Sequence, residues 1–148
     1  MGLDAVVYRR LEEIPFASGS DLSSVRVDEL TGEVHFEDFE ASAPRQEDTA
    51  AIKRRLGNMA LVVTLHENIS RILGHRGRNS LLLTKVLYDG THAGDFIPIE
   101  DLDHLKDEVQ FVRNHVLPSA SAELEEFLFT MGELISVSEQ QGNPIVFV

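Results

Sequence analysis

Cysteine and tryptophan are missing from this chain, and basic residues are scarce: 13 Lys and Arg stand against 25 Asp and Glu. Without cysteine there can be no disulfide and no thiolate metal ligand, and the composition fits a reducing compartment, so a cytoplasmic location is expected. No apolar run approaches the ~20 residues that a membrane-spanning helix needs. The start, Met-Gly-Leu-Asp-Ala-Val-Val-Tyr, has no basic region ahead of its apolar run, so no secretion signal is read there. Gly2 does not make a myristoylation site either, because Val6 stands where Ser or Thr is required. What is present is a chain of 148 residues, 43% hydrophobic, of a size for one domain around one core.

The net charge of −12 is unevenly spread. Residues 1–50 hold twelve acids and four bases, residues 51–90 two acids and seven bases, and residues 91–148 eleven acids and two bases. A nucleic-acid binder offers a clustered basic face to the phosphate backbone, so the acidic excess argues against that class and suits a cationic partner. Surface acids also keep a protein in solution, and much of the excess serves that end.

Ala5 to Tyr8 is β-branched and aromatic, with Leu3 in step, and reads as a strand. Residues 11–24 read as a loop, with turn chemistry at 18–21. Val25-Arg26-Val27 and Val34-His35-Phe36 alternate on either side of Asp28-Glu29-Leu30-Thr31-Gly32-Glu33, which predicts a hairpin with Gly32 at positive φ. Ile52, Leu56, Met59, Val63, Ile69 and Leu73 recur at helical spacing and predict a helix over 46–73, with Gly57 inside it and Gly74 closing it. Val86-Leu87-Tyr88 reads as a strand. A second helix is predicted over 98–116, starting at Pro98, and a third from the Ser121 cap to Gly142-Asn143. The apolar end, Ile145-Val146-Phe147-Val148, reads as a buried strand. The resulting expectation is an α+β domain over 1–148: one mixed sheet of about five strands, both termini and one hairpin included, with three amphipathic helices mainly on one face.

Residues 85–105 gather more chemistry than any other stretch. Asp89, His92, Asp95, Glu100 and Asp101 crowd a strand-to-helix junction and are the candidate partner- or ligand-binding residues. Gly90 and Gly94 are expected to shape the turn, while His92 and Asp95 cap its orphan N–H groups. From Asp89 to Glu100 the first, sixth and twelfth positions match a calcium-binding loop, but Thr91 at the third and Ala93 at the fifth leave too few oxygen ligands. His92, Asp95 and His104 lack the H-x-x-x-H spacing or third histidine of a transition-metal site, so neither metal nor cofactor is expected. A hydrolase would take Ser80 or Ser119 as nucleophile with His75 or His115, yet no G-x-S-x-G elbow is present. The chain is therefore read as a binding protein without a catalytic set. The second reading is a small-molecule- or metal-dependent enzyme using Asp89, His92, Asp95 and Glu100.

The start M-G-L-D-A-V-V-Y, the block K-R-R-L-G-N from Lys53, the segment K-V-L-Y-D-G-T-H-A-G-D from Lys85 and the ending G-N-P-I-V-F resemble small bacterial single-domain proteins. More loosely, from Val86 onward, the order of an H-x-G-type turn, two helices and a terminal P-I-x-F strand resembles immunity proteins of bacterial polymorphic toxin systems. The resemblance implies a cytoplasmic inhibitor that masks the active site of a toxin domain by direct binding, with no chemistry of its own.

Overall fold

The computed structural model describes residues 2–16, 23, 25–36, 46–88, 92–116 and 120–148. The predicted turn at 18–21, together with Asp89, Gly90, Thr91 and Ser119, lies outside them. Strand β1 (Gly2–Tyr8) is followed by a hairpin of β2 (Val25–Val27) and β3 (Val34–Phe36), then β4 (Ala50–Asn58) and helix α1 (Met59–Leu73). After two short helical turns come β5 (Phe96–Ile97), α2 (Leu102–His115), α3 (Ala122–Gln141) and β6 (Ile145–Phe147). The class is α+β, as the sequence predicts. The strands divide differently: a four-stranded sheet in the order β4-β1-β6-β5 and a separate two-stranded hairpin replace the single sheet of about five. Every described pairing is antiparallel, so the sheet is not mixed.

β1 shows period two in its burial. Leu3, Ala5 and Val7 face the main core, where helix residues such as Leu65, Leu105, Met131 and Leu134 pack, while Val6 and Tyr8 face the opposite side with Val146. α1 and α3 lie against the sheet, and α2 packs on both helices.

The predicted helix over 46–73 is wrong in its first half, which is β4. Ile52 and Leu56 are four apart, and that spacing puts two residues on one face of a helix or of a strand alike. Pairing with β1 from Gly2↔Asn58 to Tyr8↔Ala50 decides for the strand. Gly57 therefore lies in β4, not in a helix. Its φ is 155°, and an added Cβ would come within 2.9 Å of the Leu61 side chain, so only glycine fits. Asn58 starts α1 instead, its Oδ1 accepting from the Leu61 N–H at 2.9 Å. With the start moved, the buried stripe becomes Val62, Leu65, Ile69 and Leu73, whereas Met59 and Val63 are exposed.

The predicted strand at 86–88 is also overturned. Leu82–Val86 forms a π-helical turn closed by Leu87 N–H to the Leu82 carbonyl at 2.8 Å, and the strand comes later, at β5. Pro98 precedes a 3-10 turn and α2 begins at Leu102. Ser121 caps α3, its Oγ accepting from Leu124 N–H at 3.4 Å, and Gly142 ends the helix at φ 67°.

One knot fixes the hairpin to the rest. Asn143 donates to the Tyr8 carbonyl at 2.9 Å, accepts from Ser138 Oγ at 2.6 Å, and lies against Gly32. The Tyr8 hydroxyl hydrogen-bonds to Glu33, and burial first, then the Glu33 charge and this bond, push it from 10.0 up to about 12. Because the folded value lies above the ordinary one, the stabilisation is present in full below pH 10 and is lost as pH rises through about 12. In Tyr88→Phe, which leaves Tyr8 as the one remaining tyrosine of two, the tyrosinate absorbance of the folded protein is expected to titrate near 12. A midpoint at the ordinary tyrosine value in still-folded protein would contradict the Tyr8–Glu33 tie.

Candidate functional site

The hairpin loop, the π-helical turn, the 94–100 segment and the end of α3 surround a groove of about 750 Å³. Asp28 builds one wall: its Oδ1 accepts from Leu30 N–H at 2.8 Å and Thr31 N–H at 3.0 Å. The N–H groups of Thr31 and then Leu30 hold the Asp28 carboxyl below its usual range. This turn sets Glu29 and Leu30 on the rim. Opposite, the chain bends through His92, Ala93, Gly94 and Asp95, with Gly94 at φ 95° and the Asp95 N–H donating to the His92 carbonyl at 3.3 Å. Gly94 N–H and Asp95 C=O then bond to Phe147 at 2.7 and 2.9 Å, which carries the β5–β6 ladder into the turn.

Asp95 and Glu100 meet at this groove with Glu29, and none of the three carboxylates has a hydrogen bond or ion pair among the described residues. Lys85, the cation on the wall, reaches Asp101 at 3.5 Å. The carboxylate excess at the groove is flanked by exposed Leu30 and Ile99. Such a surface can accept the ammonium or guanidinium of a partner while apolar contacts surround the pair.

His92 is set apart from this group. It is 7% exposed and packs on Phe147, ring centroids 4.9 Å apart, with Tyr88 at 6.0 Å. Neither the 3-10 turn after Pro98 nor α2 has a side-chain cap, so His92 and Asp95 do not cap the following helix, while the N–H groups of residues 89–91 in the turn itself lie outside the described residues. Backbone bonds to β6 hold the described part of the turn, at Gly94 and Asp95. Asp89 lies outside the described residues, among which no three His, Asp or Glu side chains are placed to hold a metal ion.

Ser80 is no exposed nucleophile. It is 1% exposed, and its hydroxyl donates to Glu108 Oε2 at 2.6 Å. Glu108, 9% exposed, also accepts from Leu81 N–H at 2.6 Å and Leu82 N–H at 3.4 Å, and meets His104 Nε2 at 3.0 Å. Ser80 Oγ in turn accepts from Leu83 N–H at 3.1 Å. Together Ser80 and Glu108 satisfy the orphan N–H groups that open the π-helical turn, and they fix where Thr84 and Lys85 reach the groove. His75 and His115 are exposed, and His115 Nδ1 lies 2.8 Å from the Phe111 carbonyl.

Sequence reasoning missed Glu29, Leu30 and Glu108. The first two belong to a loop far away in sequence, with no local signal for where it docks. Glu108 had one: it falls in the apolar stripe of Leu105, Val109 and Val112, where an acid must have buried partners. No known protein family, curated protein or solved structure matches the chain.

Proposed function

We propose that this chain is a binding protein that masks a cationic surface of a partner protein, a toxin domain being the partner implied by the sequence resemblance. The observation that carries this reading is the groove: Glu29, Asp95 and Glu100, drawn from two distant segments, line it without partners among the described residues, beside the exposed Leu30 and Ile99. Carboxylates that outnumber the one lysine on the groove's lining repel one another, and a cationic partner relieves that repulsion. No helix of the described residues is long and apolar enough to cross a membrane.

The test is affinity capture with the product of the adjacent gene, followed by titration with Asp95→Lys and Glu100→Lys variants. The double variant is expected to weaken binding by about 10- to 100-fold, chiefly in the association rate and most at low salt. Its stability should stay within ~0.5 kcal/mol of the parent, because both side chains are exposed and make no bond among the described residues. Unchanged affinity in the double variant removes the groove from the interface.

A further inference from the structure

β5 stands at one end of the sheet order β4-β1-β6-β5, so only one of its edges is paired among the described residues. The Asp95 C=O accepts from the Phe147 N–H at 2.9 Å, and Phe96↔Val146 and Ile97↔Ile145 continue the antiparallel ladder. In such a ladder alternate residues direct both backbone groups at the partner strand, so Ile97 bonds to Ile145 while the N–H and C=O of Phe96 face away from β6. Pro98, the next residue to face outward, has no N–H, and its carbonyl already accepts from Asp101 N–H at 3.0 Å. The open edge therefore reduces to one donor and one acceptor, both on Phe96.

This edge opens on the acidic groove. Asp95, Phe96, Pro98 and Ile99 line it, whereas Ile97, turned to β6 and fully buried, does not. Glu29 and Glu100 share the lining, where Lys85 meets Asp101, so the carboxylates beside the open edge are in excess. The opposite edge of the sheet is closed to a partner in a way this one is not. At β4 the Lys53 carbonyl accepts from Arg54 Nη1 and the Ala50 carbonyl from Arg9 Nε, each at 3.1 Å. No side chain does the same for Phe96 among the described residues.

We infer, resting on the masking of a cationic partner proposed above, that the part of the partner held in the groove is an extended segment with lysine or arginine at alternate positions, whose backbone pairs with Phe96 as a further strand beside β5. A strand turns every second side chain to one face, so residues two apart present their cations together to the carboxylates while the strand's own N–H and C=O meet those of Phe96. A helix satisfies its backbone groups internally and would leave those of Phe96 unmatched. The two hydrogen bonds set register and orientation, and the charges supply most of the attraction.

The probe is a blocked hexapeptide of alternating lysine and valine, with an analogue N-methylated at every amide that keeps the charge and lacks donors. In the free protein the Phe96 amide is expected to exchange with solvent far faster than that of Ile97, as read by NMR hydrogen exchange. By fluorescence anisotropy at about 0.1 M ionic strength, the hexapeptide should bind about tenfold or more tightly than its methylated analogue. In the saturated complex the Phe96 amide should slow by about tenfold or more, and by a larger factor than Ile97, which β6 already protects. Asp95→Lys with Glu100→Lys should weaken the hexapeptide about tenfold or more. Equal affinity of the two peptides, an unchanged Phe96 amide in the complex, or a Phe96 amide already protected in the free protein overturns the strand pairing and leaves the groove a site for charge alone. Undiminished binding by the charge-reversal variant places the peptide elsewhere and overturns it as well. Failure of both peptides to bind also overturns it, and the masking of a cationic partner is then decided separately by capture of that partner.

Discussion

Replacing Glu108 with alanine is expected to destabilise the protein by about 3–4 kcal/mol, measured by equilibrium urea or guanidinium unfolding. The carboxylate accepts the Ser80 hydroxyl and the Leu81 N–H at 2.6 Å each, and more weakly the Leu82 N–H at 3.4 Å, all in a buried setting. Alanine leaves these donors without an acceptor, and each orphaned buried donor costs about 1–3 kcal/mol. Two neighbours give the controls. Ser80→Ala removes one hydroxyl and its bond from Leu83 N–H, and should cost about 1–2 kcal/mol. His104→Ala, on the exposed side of Glu108, should cost less than about 1 kcal/mol. Because Ser80 and Glu108 share partners, the double variant should lose less than the separate losses added together. A Glu108→Ala loss no larger than that of Ser80→Ala would show that the network does not hold the turn.

Phe147→Ala should destabilise by a comparable amount, about 3–5 kcal/mol. The ring is fully buried on the helix side of the central strand, against His92, and its backbone ties the 94–95 turn to the sheet. Its removal opens a cavity in the main core and takes away the surface on which His92 packs. Phe147→Leu keeps most of the volume and should cost about 1.5 kcal/mol or less, so the difference between the two variants reports the cavity rather than the strand. Either large substitution is a substantial share of the 5–15 kcal/mol typical of a folded domain, and Glu108→Ala combined with Phe147→Ala is expected to be unfolded at room temperature.

What could be read in advance followed from how unambiguous each local signal was. β1, the hairpin and α3 form where their residue patterns predict them, and their capping or turn residues, Gly32, Ser121 and Gly142, stand where the chain turns. β4 was hidden because Ile52 and Leu56 satisfy both periods, and what decides is pairing with a strand some fifty residues earlier. Leu81 to Tyr88 is apolar almost throughout, and such a run looks the same as strand or buried helix; the Glu108 bonds from α2 settle it. The candidate site divides in the same way. Asp95 and Glu100 line one groove and Asp101 meets its Lys85, whereas His92, equally polar on paper, is drawn under Phe147 by its ring. Glu29 and Leu30 reach the groove through the Asn143 knot, a contact between distant segments that composition and periodicity do not reveal.

β6 pairs with both β1 and β5, so the middle of the sheet is completed by residues 145–147, and Ala5 faces Phe147 across nearly the whole chain. Contacts this remote in sequence form late, because the loop they close must be ordered before they add stability. On the ribosome, β1 and β4 can pair while α3 is still being made, but one edge of β1 then stays open until β6 emerges. A nascent chain that stalls or terminates before Ile145 is left with that apolar edge exposed, open to chaperones and proteases. The topology thus couples the acquisition of a stable native state to the synthesis of β6, which lies far from β1 in sequence.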